Sequence, residues 1–179
     1  MAEKKVQAKA RGEKTALLII DVQNGMFGKA TPVYREETLL ANICVLRERA
    51  RAAGILVVYL QHADKHWLVE GTDTWPIHPR VQPLPGDLVI NKRHPNSFED
   101  TPLETELEAR GVGVLLVTGM VTHGCVKATC LGAQKLGYRV ILVSDAHSNF
   151  HKDPEPLIAE TEAKLKEAGV EVAEAGSLL

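Results

Sequence analysis

Short, continuous apolar segments alternate with longer amphipathic segments along this chain, and that alternation constrains the fold more than any other feature. Segments that are apolar throughout predict strands buried on both faces, and such strands need helices on both sides of their sheet. We therefore predict an α/β fold of three layers, α/β/α, with a doubly wound, mainly parallel sheet of six strands in the order 3-2-1-4-5-6. The predicted strands are TALLIID, ILVVYLQ, DLVIN, VGVLLVTG, YRVILVSDA and VEVAEA.

The segments between the strands have helical periodicity. EETLLANICVLRERARAAG repeats apolar residues on one helical face and ends in a glycine, which is typical of a helix C-terminus. Thr101, Pro102 and Glu104 predict a helix start, as N-cap, first-turn proline and capping-box acid. GCVKATCLGAQKLG and PEPLIAETEAKLKEAG are the remaining predicted helices. The arrangement is Rossmann-like, and we assign it to one domain over residues 15–179, after a mobile, polar lead-in over residues 1–14.

The composition is that of a globular protein without a nucleic-acid or membrane partner. Of the 179 residues, 45% are apolar and 25% are charged, and a net charge of −2 gives no electrostatic basis for binding nucleic acid. No apolar run is long enough to span a membrane, and the polar, basic start does not look like a secretory signal. Three cysteines at unrelated spacings favour a reduced, cytoplasmic protein over a disulfide framework.

Three residues with reactive side chains stand at the ends of predicted strands. Asp21 ends the first strand, Lys92 follows the third and Cys125 follows the fourth. In a doubly wound sheet, small-molecule ligands bind at the carboxyl ends of the strands. The sequence therefore predicts that an acid, an amine and a thiol share one edge of the sheet, where we expect a small-molecule substrate.

Cys125 stands at a predicted helix start, where unpaired backbone N–H groups favour a thiolate and so lower the pKa of a cysteine. The same N–H groups can stabilise an oxyanion on a carbonyl that the thiol attacks. The alternative is a small cysteine that fills a gap in the core, and we expect that packing role for Cys44 and Cys130. Asp21 can accept the thiol proton, and Lys92 can hold Asp21 ionised.

Three segments carry a resemblance to a known family: LLIIDVQNGMF, VINKRHPNSFEDTPLETEL and LLVTGMVTHGCVKATCLGAQKLGYRVILVSDA. From about Thr15 to Phe150 the chain resembles the isochorismatase-like cysteine hydrolases, which include nicotinamidases, N-carbamoylsarcosine amidases and streptothricin hydrolase. The resemblance implies an Asp-Lys-Cys triad of Asp21, Lys92 and Cys125. It also implies a cis peptide bond at Met120–Val121, an oxyanion hole formed by the N–H groups of Val121 and Cys125, and assembly into a homo-oligomer, a dimer or a tetramer.

A thiol nucleophile favours attack on a carbonyl, so we expect hydrolysis of a C–N bond in an amide, lactam or carbamoyl group through a thioester. The alternatives are a metal-assisted nicotinamidase, a non-catalytic binding module and a redox sensor. His62, Asp64 and His66 are metal ligands by type, but QHADKHW does not have the Asp-x-His spacing that nicotinamidases use. We therefore expect neither a metal nor another cofactor.

The substrate pocket is harder to predict. Five residues in or beside the loops at the predicted edge are candidates for substrate binding: Phe27, Gln61, Trp75, Phe98 and His123. The alternative for the aromatic residues is that they pin their loops to the body or fill a subunit interface. Asp145, after VILVS, is expected to accept hydrogen bonds in a turn or cap.

Overall fold

The computed structural model describes residues 11–179. Within these residues, one sheet holds six parallel strands in the order β3-β2-β1-β4-β5-β6. This arrangement confirms the predicted strand order and the predicted doubly wound fold. The strands are β1 (Lys14–Ile20), β2 (Leu56–His62), β3 (Leu88–Lys92), β4 (Val112–Met120), β5 (Arg139–Ser148) and β6 (Glu171–Ala173).

Helices cover both faces of the sheet. They are α1 (Asn24–Phe27), α2 (Glu36–Ala52), α3 (Leu103–Ala109), α4 (Lys127–Lys135) and α5 (Pro154–Glu167). Successive side chains of β1 point to opposite faces: Leu17 and Ile19 pack in one core with residues of α2, whereas Leu18 and Ile20 pack in a second core with residues of α3, α4 and α5. The predicted three layers are thus confirmed.

The start of α3 differs from the prediction. The helix begins at Leu103, and Thr101 accepts a long hydrogen bond of 3.3 Å from the backbone N–H of Leu103 while its hydroxyl donates to the carbonyl of Ser97. Glu104 does not complete a capping box, because its carboxylate pairs with Arg11 at 2.5 Å. Arg11, which is far away in sequence, therefore binds the carboxylate that a capping box would have used.

Residues 1–10 of the predicted mobile lead-in lie outside the described residues. Arg11 and Lys14 belong to the described fold: β1 begins at Lys14, and the Arg11 side chain, 6% exposed, donates from Nε to the carbonyl oxygen of Leu136 at 2.8 Å. Among residues 11–179, no helix combines the length and the apolar character needed to cross a membrane.

Candidate active site

The ends of β1 and β3 bring an acid and an amine together across β2. The Nζ of Lys92 lies 3.0 Å from Oδ2 of Asp21, and neither side chain is exposed to solvent. Lys92 also contacts Nδ1 of His62 at 3.2 Å and donates to the carbonyl oxygen of His94 at 3.2 Å. An ammonium group has three hydrogens to donate, and these three partners satisfy all of them.

Asp21 is held in an unusual backbone conformation. Its φ of 52° lies in the left-handed region, which a residue other than glycine seldom adopts and which is often found at functional sites. Its backbone N–H donates to the carbonyl of Leu60 at 2.9 Å. The Oδ1 atom is buried, and within the described residues it has no hydrogen-bond partner. One carboxylate oxygen is therefore available to accept a proton.

Cys125 lies beside this pair, but not in the helical start that the sequence predicted. Residues Thr122–Val126 form a single π-helical turn, in which Gly124 has non-helical φ and ψ angles, and α4 begins only at Lys127. Side-chain ligand atoms of Asp21, His62 and Cys125 all lie within 4.8 Å of one another. The structure thus brings the three predicted residues Asp21, Lys92 and Cys125 into one cluster.

The pKa of the Cys125 thiol is raised to about 12, chiefly by burial and next by the negative charge of Asp21. The positive charge of Lys92 acts in the opposite direction but is the smaller effect. The expectation of a lowered pKa was therefore wrong, because it considered the helix start and not the burial of the sulfur. Burial of the sulfur thus favours the neutral thiol over the thiolate.

The turn before Cys125 follows β4 closely. The Met120–Val121 peptide bond is cis, as expected. The carbonyl of Val121 accepts the N–H of Gly124 at 3.0 Å and of Val126 at 3.4 Å. The oxyanion hole expected from the N–H groups of Val121 and Cys125 stays a prediction.

Gly119 lets β4 approach the end of β1 at this point. Its φ is +110°, and a Cβ atom there would lie 2.1 Å from the carbonyl oxygen of Ile20. Only glycine fits this position without moving one of the two strands. Gly119 therefore keeps the strand that leads to Cys125 close to the strand that leads to Asp21.

His62 joins the site as a partner of Lys92, which differs from the metal-ligand role considered from the sequence. Burial, and next the positive charge of Lys92, lower the pKa of His62, so the neutral ring can accept a hydrogen bond from the ammonium group. Gln23 holds the end of β2 in place: its Oε1 accepts the N–H of His62 at 2.8 Å, and its Nε2 donates to the His62 carbonyl at 2.9 Å. The polar residue at the end of a buried strand was the signal available in the sequence.

The structure does not gather the metal ligands considered from the sequence. Asp64 uses its carboxylate to accept the N–H groups of His66 and Trp67, each at 2.6 Å, and His66 is exposed. Among residues 11–179, the group with metal-ligand spacing is Asp21, His62 and Cys125. That set does not fit a cation, because the Lys92 ammonium is already bonded to two of its members.

The loop between β2 and β3 is tied to the body at Trp75. The carbonyl of Trp75 accepts hydrogen bonds from the side-chain amides of Gln23 at 2.7 Å and Gln61 at 3.0 Å. Phe27 lies 4.5 Å from His78, measured between ring centroids. The side-chain amide of Gln61 therefore anchors a loop, and substrate contacts by Phe27, Gln61 and Trp75 stay predictions.

The placements of Phe98 and His123 differ from each other. The Phe98 ring stacks on Tyr138, 5.6 Å away, which immediately precedes β5. Tyr138 thus lies at the amino-terminal end of that strand, so this placement does not support the expected substrate contact of Phe98. His123 is exposed in the turn before Cys125, and its pKa is lowered by partial burial of the ring and then by His151 and Lys127.

Asp145 and the two cysteines expected to pack in the core lie outside the cluster around Cys125. Asp145 accepts the backbone N–H of Ala175 at 2.8 Å, which confirms its role as an acceptor. Cys130 is fully buried in the core under α4, as expected. Cys44 is only partly buried, and its thiol donates to the carbonyl of Arg80 at 3.2 Å.

Comparison with known proteins gives a consistent family. The family model for the isochorismatase domain matches residues 15–172. A streptothricin hydrolase from Streptomyces noursei is 38% identical over 148 residues, which cover 82% of this chain and 54% of that protein. Maleamate amidohydrolase from Pseudomonas putida is 29% identical over 162 residues, which cover 80% of this chain and 76% of that protein.

Solved structures agree with these sequence matches. An isochorismatase from Pseudomonas putida KT2440 has a TM-score of 0.84 at 28% identity, with coverage of 96% of this chain and 94% of that chain. N-carbamoylsarcosine amidase from Thermoplasma acidophilum shares the fold, with a TM-score of 0.80 at 23% identity and coverage of 91% and 97%. The chain spans little more than half the length of the streptothricin hydrolases it matches. Since the family model covers most of its residues, this chain belongs to the isochorismatase family.

Proposed function

We propose that this protein is a cysteine-dependent hydrolase that cleaves a C–N bond in an amide, lactam or carbamoyl group of a small molecule. The observation that carries the proposal is the buried Asp21–Lys92 pair beside the thiol of Cys125. A thiol next to a buried acid and a buried amine is the combination of nucleophile, base and charged partner that covalent catalysis uses.

The reaction begins from a neutral thiol, since the pKa of Cys125 is about 12. Sγ attacks the carbonyl carbon while Asp21 accepts the thiol proton, so that no free thiolate has to form first. Lys92 stays bonded to Asp21 and supplies positive charge next to the reacting groups. The backbone N–H groups of Val121 and Cys125 stabilise the tetrahedral oxyanion.

Collapse of the oxyanion breaks the C–N bond. Asp21 returns its proton to the departing nitrogen, which leaves as ammonia or an amine, and a thioester with Cys125 remains. Asp21 then takes a proton from a water molecule, and the resulting hydroxide attacks the thioester. The acid is released, and the proton on Asp21 returns to the sulfur.

The names of related proteins favour small substrates with a C–N bond. Three relatives are a streptothricin hydrolase, a maleamate amidohydrolase and a ureidoacrylate amidohydrolase. Their substrates differ, so the substrate of this chain has to be found by assay. We expect no metal in the reaction, because the Lys92 ammonium is bonded to both Asp21 and His62.

The test is a panel of small amides, lactams and carbamoyl compounds, with release of ammonia or amine as the measurement. Cys125→Ala should abolish turnover of any substrate found and leave the fold intact. Cys130→Ala is the matched control: it removes a buried sulfur from α4, which lowers the free energy of unfolding by about 1 kcal/mol or more, and it should keep turnover. Turnover that survives Cys125→Ala, or that is lost with a chelator, would contradict the proposal.

A further inference from the structure

A chain of three polar side chains lies behind the turn that carries Cys125. The Thr122 hydroxyl lies 2.9 Å from Nδ1 of His147, and Nε2 of His147 lies 3.2 Å from Oε1 of Glu162. Thr122 belongs to the turn, His147 to β5 and Glu162 to α5. None of the three touches the Asp21–Lys92 pair in the contacts described above.

These three hydrogen-bonded side chains lie largely below the protein surface. Thr122 and the His147 side chain are fully buried, and the Glu162 side chain is 17% exposed. A buried imidazole needs a partner for each ring nitrogen, and here both have one. Because a carboxylate only accepts, Nε2 of His147 is the donor to Glu162, and the Thr122 hydroxyl is the partner of Nδ1. These two contacts fix the orientation of the ring.

Because Thr122 belongs to the turn that carries Cys125, its contact with His147 also holds that turn. Thr122 follows Val121, whose carbonyl organises the turn, and precedes Cys125 by three residues. His147 lies beside Gly119 in the register between β4 and β5. The turn is therefore held by β5 and α5 through Thr122, whereas it lies close to Asp21 through Cys125.

We propose that Thr122, His147 and Glu162 form a positioning array that fixes the Cys125 turn relative to Asp21. The array does not contact the reacting atoms, and it acts through the backbone of the turn. A displacement of the nucleophile by about 1 Å costs roughly 100-fold in rate, so a restraint of this kind acts on kcat and not on KM. The inference rests on the proposed function for its kinetic readout.

The kinetic experiment uses one variant at each end of the array. Thr122→Val removes the hydroxyl with little change of shape, and Glu162→Ala removes the carboxylate from the partly exposed side of a helix, so that folding is retained. We expect kcat to fall about 10-fold or more in Thr122→Val and about 5-fold in Glu162→Ala, with KM within about 2-fold. The double variant should be no slower than Thr122→Val alone, because the residues act as a unit.

Conservative and matched variants complete this experiment. Thr122→Ser and Glu162→Gln keep the hydrogen-bonding atoms and should keep kcat within about 3-fold of the parent. Thr161→Val and Glu160→Ala are the controls, since the buried Thr161 hydroxyl donates to Leu157 and the Glu160 carboxylate accepts from Lys164, both within α5. An unchanged kcat in Thr122→Val and Glu162→Ala, or losses that multiply in the double variant, would overturn the proposal.

A second measurement does not require a substrate. Alkylation of Cys125 by iodoacetamide, followed by peptide mass spectrometry at pH 9, reports on the environment of the thiol even if no amide is hydrolysed. We expect Thr122→Val and Glu162→Ala to change this rate about 3-fold or more, and the two controls to leave it unchanged. Equal rates in all variants would overturn the array, whereas changed rates without any hydrolysis would count against the proposed function alone.

Discussion

At Cys125, burial and a neighbouring charge act against the backbone N–H groups. Burial and then Asp21 raise the pKa of the thiol to about 12, opposite to the lowering expected from a helix start. What lies close to the sulfur is a base, Asp21, with a buried oxygen that has no partner among residues 11–179. In the proposed reaction, the nucleophile is therefore generated by proton transfer to Asp21 during the attack.

This account predicts an unusual alkylation profile for Cys125. Between pH 7 and pH 10, the alkylation rate of Cys125 with iodoacetamide should rise about tenfold per pH unit without a plateau. The reason is that this whole range lies below the pKa, so the thiolate fraction keeps growing. Mass spectrometry of the same digest follows the partly buried Cys44 as an internal reference. A plateau with a midpoint near 8.5, the pKa of a free thiol, would contradict the account.

His62 predicts a pH dependence of stability. Its pKa in the folded protein is lowered from the usual 6.5 by burial and then by Lys92. The unfolded chain therefore binds more protons in acid, so stability that is present above pH 6.5 is lost as the pH falls toward the folded-state pKa. Urea unfolding at pH 7.5 and pH 5 should show a larger loss in the parent than in His62→Gln.

The exposed residue His66 supplies the control for this measurement. His66→Gln should leave the difference between the two pH values as it is in the parent protein. If His62→Gln lost as much stability in acid as the parent does, the pKa of His62 would not be lowered in the folded protein.

At the scale of the elements, the close approach of β1 and β4 predicts an intolerant position. Gly119→Ala should lower the free energy of unfolding by about 2 kcal/mol or more, because its φ is +110° and the added Cβ meets the backbone of Ile20. Urea unfolding measures the loss. Gly28→Ala is the matched control, since a Cβ there meets nothing within 4 Å. A stable Gly119→Ala protein would mean that the strands can move apart.

The strands could be predicted from the sequence, and the starts of two helices could not. Continuous apolar runs such as TALLIID need cover on both faces, which nearly determines the sheet. At the start of α3, Arg11, which lies far away in sequence, takes the carboxylate of Glu104 that a capping box would have used. The start of α4 depends on the backbone of Gly124, which no side-chain pattern encodes.

The candidate site was predictable to the same degree. Asp21, Lys92 and Cys125 stand at the carboxyl ends of strands, which is where a doubly wound sheet binds its ligands. His62 also ends a strand, but its contact with Lys92 depends on the register between β2 and β3, in which the two residues are paired. The packing of Phe98 could not be predicted because a loop aromatic can turn toward the substrate or toward the core, and Tyr138 provides a partner for the ring.

At the scale of the whole molecule, we predict a homo-oligomer. The prediction comes from the family resemblance. It is also favoured by β3, an edge strand with unpaired backbone groups whose apolar Val89 is 46% exposed. Light scattering at micromolar concentration should give the mass of a dimer or a tetramer. A mass near 19.6 kDa, that of a single chain, would refute it.

The tie at the carbonyl of Trp75 has a consequence for directed evolution. Gln23 and Gln61 hold that one oxygen, which is one of the anchors of the long connection between β2 and β3 and divides it into two segments. Each segment can then be randomised as a separate cassette, with the other left intact and the edge of the sheet undisturbed. A library that alters the substrate range should therefore keep both glutamines and vary the residues on one side of Trp75 at a time.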